Sequence, residues 1–101
     1  MIVAFSVSPS GGDPDAGVSE AVSRAVKVVR DSGLPNSTNA MFTNVEGEWD
    51  EVMAVVKQAV HAAGEGSARV GLVLKADIRP GYDTGQLTAK VDRVEAHLRE
   101  G

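Results

Sequence analysis

Apolar positions along the chain switch between a period of two and a period of three to four, and the switches mark the elements. Residues 2 to 8, Ile-Val-Ala-Phe-Ser-Val-Ser, form a β-branched and aromatic run that is expected to stop at Pro9, whose nitrogen cannot donate to a ladder. Ile2 and Ala4 point one way and Val3, Phe5 and Val7 the other, so the strand is apolar on both sides for most of its length. That is the pattern of a central strand covered twice. From Pro9 to Gly17 the chain is dense in Pro, Gly and Asp, which predicts a loop. Val18, Ala21, Val22, Ala25, Val26 and Val29 then recur at helical spacing, with Gly33 as a left-handed stop.

Asn36 to Glu46 mixes polar and apolar residues, with strand propensity at Met41, Phe42, Thr43 and Val45, and reads as one bent strand or a tight hairpin. The next helix is the clearest element: Trp49, Val52, Met53, Val56, Ala59, Val60 and Ala63 make a continuous stripe that ends at Gly64. Glu48, Asp50 and Glu51 put negative charge in its first turn, where the helix dipole favours it. In Val70 to Arg79, Val70, Leu72, Leu74, Ala76 and Ile78 share one face, while Gly71, Val73, Lys75, Asp77 and Arg79 share the other. A turn at Pro80 to Asp83 leads to a last helix, capped by Asp83 or Thr84, with Leu87, Val91, Val94 and Leu98 on one stripe.

The order β, α, β(β), α, β, α predicts an α+β chain: a ferredoxin-like βαββαβ sandwich with an additional C-terminal helix. Such a sheet carries its first two helices on one face. The other face, holding either Val3, Phe5, Val7 and Val73 or the alternate set, then needs cover that one further helix supplies only in part. Self-association through the open face or the sheet edges is the expected consequence.

Length and composition narrow the function classes. The chain has 101 residues, enough for one domain over residues 1–101 and too few for two. Aromatics are 4%, so Val, Ala, Leu and Met must fill the core, and association would reinforce so light a core. The formal charge is −4 and the 10 Lys and Arg form no basic stripe, which argues against nucleic acid. The absence of Cys excludes disulfides, thiolate metal sites and a Cys nucleophile. Residues 1–6 lack a basic segment and reach polar residues too soon for a signal peptide or membrane span, so a cytoplasmic location is expected.

Catalytic constellations are missing from the pattern. His61 and His97 have no partner at metal spacing and read as helix-surface residues, so neither a metal nor a cofactor is expected. No nucleophile elbow or triad is present. Asp13-Pro14-Asp15-Ala16-Gly17 lacks the downstream Glu of a calcium loop, and Gly11-Gly12 is a poor phosphate cradle beside two Asp. Trp49 reads as a core anchor at the start of its helix or as one wall of a pocket for a flat or cationic ligand, with Met41 as an adaptable neighbour. Lys75 and Asp77 share a strand face and Glu46 comes from the neighbouring segment; these charges are solvated ion pairs or, if enclosed, a site that demands a counter-ion.

Ser6-Val7-Ser8-Pro9-Ser10-Gly11, the helix end Asp31-Ser32-Gly33-Leu34, Met-x-Thr-x-x-Glu-Gly-Glu-Trp-Asp-Glu-Val at positions 41 to 52, and Lys75-Ala76-Asp77-Ile78-Arg79 resemble the small thiamine-binding protein family, in the same order and over nearly the whole chain. The resemblance implies a ferredoxin-like fold, a homotetramer or dimer of dimers, and binding of thiamine or its hydroxymethylpyrimidine moiety without catalysis. Carried over by position, Ser6, Met41, Thr43, Glu46, Trp49, Lys75 and Asp77 are the candidate ligand-binding residues. Phe42 stands where the family pattern leads one to expect a small residue, and a ring there reshapes a pocket. Two other readings remain open at this point: a cofactor-independent enzyme of the dimeric α+β barrel type, which fold analogy alone supports, and a regulatory or interaction module without a working pocket. The enzyme reading needs Glu46, Asp77 or His61 buried beside an enclosed cavity.

Overall fold

The computed structural model describes residues 1–11 and 18–101. Residues 12–17, which include most of the expected first loop, the Asp13–Gly17 calcium-loop reading and Gly12 of the Gly11-Gly12 phosphate-cradle reading, lie outside the described residues. The elements are β1 (Ile2–Ser10), α1 (Val18–Asp31), β2 (Asn36–Thr38), β3 (Thr43–Glu46), α2 (Trp49–Ala63), β4 (Arg69–Asp77) and α3 (Gln86–Glu100). One antiparallel sheet runs in the order β2-β3-β1-β4, the ferredoxin-like arrangement, with α3 added.

β1 continues through Pro9 to Ser10 rather than stopping at the proline. The reason lies in the register: β3 pairs only with Ile2 to Phe5, whereas β4 follows β1 to Ser10, so Pro9 sits where β1 has a neighbour on one side alone. The bent segment is a hairpin. Its turn is held by Asn39, whose Oδ1 accepts from the Met41 and Phe42 amides, both at 2.9 Å.

The helices α1 and α2 cover one face of the sheet. Val3, Phe5, Val7 and Val45 from the strands meet Ala25, Val29, Val52, Val56 and Ala59 in one buried cluster. The alternate set is therefore the open one: Val3, Phe5 and Val7 lie inward, and Ile2, Ala4 and Ser6 outward. Small β-branched and Ala side chains let the two helices sit close enough for Arg24 of α1 to cap α2. Its Nε donates to the Ala62 carbonyl at 2.8 Å, in the last turn where cations are favoured. Glu48 caps the other end of α2 by accepting from the Glu51 amide at 2.8 Å.

α3 is different, because none of its residues is buried. Val91, Val94 and Leu98 are all more than half exposed, Leu98 at 68%. With this helix reaching away from the sheet, the radius of gyration is 15.3 Å, against about 13 Å for a compact chain of this length. No helix among the described residues is long and apolar enough to cross a membrane.

Candidate functional site

The open face is assembled by register. Ile2 lies opposite Glu46 on β3 and Asp77 on β4, Ala4 opposite Asn44 and Lys75, and Ser6 opposite Val73. Strand alternation thus puts an apolar floor, Ile2 and Ala4, between polar side chains from both neighbours. α3 overhangs one end of this floor. The result is a groove of about 620 Å³ floored by Ile2 and Ala4, with Asn44, Lys75, Asp77 and, from α3, Leu87 and Lys90 around it.

Glu46 holds the overhang in place. It is fully buried, at 0% exposure. Its Oε2 accepts from the Gln86 amide at 2.8 Å and its Oε1 from the Leu87 amide at 3.3 Å. These are the first two amides of α3, so a carboxylate from a core strand serves as the N-terminal cap of a helix forty residues on. The residue at the cap position itself is Gly85, with φ of 76° and no side chain to offer. Thr84 and Asp83, expected as caps from their position in the sequence, do not perform that role; Asp83 Oδ1 instead accepts from the Met1 amine at 2.8 Å.

A second attachment is the ion pair of Asp77 with Lys90 of α3. The hydrogen-bonded Lys90 ammonium, chiefly, holds the Asp77 carboxyl below the usual carboxylate range; Coulomb attraction from Lys90 and, more weakly, from the Met1 amine and Arg79 adds to it. Both partners are about half exposed, so the pair is screened and steers α3 more than it stabilises the fold.

Six of the seven candidate residues lie around the groove or a smaller recess, and the seventh lies at neither. Lys75 and Asp77 line the groove, Glu46 is buried beside it with both oxygens committed to α3, and Ser6 lies further along the same face. Thr43 is buried on the covered side, opposite Phe5. Together with Ser6 and the 73% exposed Met41 it borders a smaller recess of about 180 Å³ between α1 and the hairpin turn, which Phe42 also lines. Trp49 joins neither group. At 53% exposure it is not the core anchor its stripe position predicts. Asn44, whose amide the sequence offers as a partner for an aminopyrimidine, lines the groove beside Ala4; Leu87 and Lys90 were missed, because α3's position over the sheet was not legible in the sequence.

Of the three groups that could serve the enzyme reading, His61 is exposed, Asp77 is half exposed, and Glu46, though buried, has its oxygens engaged by amides. His61 and His97 both lie at the surface, and among the described residues no cluster of three metal-ligating side chains occurs.

This is an α+β protein with a ferredoxin-like sheet and a groove on its open face, and comparison with known proteins gives the family. The family model described as thiamine-binding protein matches residues 3–95, and the chain belongs to that family. The UPF0045 protein Mb1933 of Mycobacterium bovis is 54% identical over 99 residues, covering 97% of this chain and 94% of its own. A solved Bacillus cereus domain of unknown function, DUF77, superposes with a TM-score of 0.76 at 31% identity, over 87% of this chain and 84% of that one. A Thermotoga maritima protein whose name proposes a role in thiamine biosynthesis or salvage also superposes with a TM-score of 0.76, at 26% identity, over 92% of this chain and 96% of that one.

Proposed function

We propose that the protein binds thiamine or its hydroxymethylpyrimidine moiety, without catalysis, in the open-face groove. Membership of the thiamine-binding family supports the ligand class. The observation that carries the location is the groove itself: about 620 Å³ is ample for a small heteroaromatic guest, whereas the recess of about 180 Å³ falls below the usual range of ligand pockets. A flat ring rests on Ile2 and Ala4 against Leu87. The Asn44 amide, which is both donor and acceptor, meets the adjacent donor and acceptor atoms of an aminopyrimidine. Titration calorimetry with thiamine and with hydroxymethylpyrimidine tests the reading; no heat from either at millimolar concentration contradicts it.

Self-association belongs to the same proposal. A second copy of the chain covers the stripe of Val91, Val94 and Leu98 on α3, which no described residue buries, and a dimer of dimers accommodates both this helix and the exposed Val73 of the open sheet. Light scattering after size exclusion reads the mass directly, and a monomer at micromolar concentration contradicts it. Val94→Lys is expected to shift the assembly toward smaller species.

A further inference from the structure

The sheet ends in two edges that differ in kind. At one edge β2 is three polar residues long, Asn36–Thr38. At the other, β4 runs for nine residues, follows β1 residue for residue without a bulge, and contains no Pro. Short length, Pro and bulges are among the devices that keep an edge strand from pairing with another chain, and β4 has none of the three. Its outer backbone groups have no strand partner among the described residues. Seven of its nine residues are exposed, including Leu72 at 44% and Val73 at 60%.

The sequence of this strand is complementary to itself. A two-fold axis through Val73, perpendicular to the sheet, pairs two copies of β4 antiparallel. Val73 then faces its own copy, Leu72 faces Leu74, Gly71 faces Lys75, Val70 faces Ala76 and Arg69 faces Asp77. This axis keeps the helices of both copies on the same side, so residues that meet share a face. Moving the axis one residue either way sets Arg69 against Lys75 in one case and against Arg79 in the other, and like charges directly opposite are destabilising. Only the register centred on Val73 places opposite charges at both ends and apolar residues between them.

We propose that β4 pairs antiparallel with β4 of a second copy in this register, joining the two sheets into one, and that the partner's Arg69 stands beside Asp77 at the edge of the groove. This deepens the self-association reading above and rests on it, while naming a contact separate from the α3 stripe. Lys90 engages Asp77 through Oδ2, which leaves Oδ1 for a second cation. Asp77 lines the groove, so each copy's site gains a side chain from the other.

The chain has no Cys, so one introduced thiol reports on its own. Residues directly opposite across antiparallel strands have Cβ atoms about 4.5–5.5 Å apart, near enough for a disulfide after a small adjustment. On mild oxidation of the full chain, Val73→Cys is expected to give mostly disulfide-linked dimer on non-reducing electrophoresis, and Ser37→Cys, on the β2 edge, to give none. Arg69→Glu and Asp77→Lys each set like charges opposite one another at both ends of the pairing, and each alone is expected to weaken it roughly tenfold. Mixed one to one, the two variants set opposite charges against each other again, and light scattering should show the lost mass return. Asp77 also holds α3 through Lys90, so the Val73 cross-link, which leaves that pair intact, is the deciding arm. An associated chain that forms no disulfide at Val73→Cys, disulfides at both positions alike, or a mixture no heavier than its components overturns the β4 contact and leaves self-association standing. A monomer of the unmodified protein at micromolar concentration overturns self-association itself, and the β4 contact with it.

Discussion

On the covered face, Val3, Phe5, Val7 and Val45 meet Val29, Val52 and Val56 in one apolar cluster, whereas the open face meets α3 through the Glu46 carboxylate and the Asp77–Lys90 pair. The first contact is non-directional and distributed over many atoms, so its strength depends on volume and exclusion of water. The second rests on a few directional bonds. A face held that way is free to leave a groove, and its helix, with no buried residue, is expected to open before the others. The covered face gives the chain its fold, and the open face gives it room for a guest.

Substitutions on the two sides should therefore differ in kind. Val29→Asp puts an unpaired carboxylate into the cluster at a residue with no exposed surface. The cost is at least roughly 3 kcal/mol, and loss of a cooperative melt by circular dichroism is expected. Glu46→Ala removes the acceptor of two α3 amides, a loss of about 2 kcal/mol concentrated in that helix. Hydrogen exchange should show α3 amides opening while those of α1 and α2 stay protected. Equal loss across all three helices would mean that the open face is as integral to the fold as the covered one.

Acid should act on the open face first. Asp77 has a folded pKa lowered mainly by the hydrogen bond from Lys90, so its contribution is present above its unfolded value, near 3.8, and is lost as pH falls through the lower folded value. Chemical shifts of Lys90 followed through that window should report release of α3 from β4, and Lys90→Met should abolish the step. The smallest effect belongs to the Lys27–Asp31 pair on the outer surface of α1. The Lys27 pKa is raised, chiefly by its hydrogen bond to Asp31, so this pair contributes below pH 10.5 and weakens as pH rises through the higher folded value. Being mostly exposed, it is screened, and Lys27→Ala should leave the melting temperature at neutral pH unchanged within measurement.

Periodicity made the sheet, both covering helices and the existence of α3 legible, because burial on one face imposes a period wherever the partner surface lies in the same chain. It gave direction without saying what stands opposite. Trp49 is on the stripe of α2 and Leu98 on that of α3, yet both are mainly exposed. The cap of α3 was hidden for another reason. Capping rules look to the residues just before a helix, and Asp83 and Thr84 satisfied them on paper, while the acceptor in the structure comes from β3. Met41 and Thr43, near Glu46 in the sequence, are separated from the groove by the hairpin turn and by strand alternation. Closeness along the chain did not translate into a shared cavity.

On the binding proposal the guest occupies the open face. Amide chemical shifts recorded while hydroxymethylpyrimidine or thiamine is added show where it sits. Changes are expected at Ala4, Asn44, Lys75, Asp77 and Leu87. Changes confined to Val22, Val26, Met41 and Phe42, around the smaller recess beside α1, would contradict it.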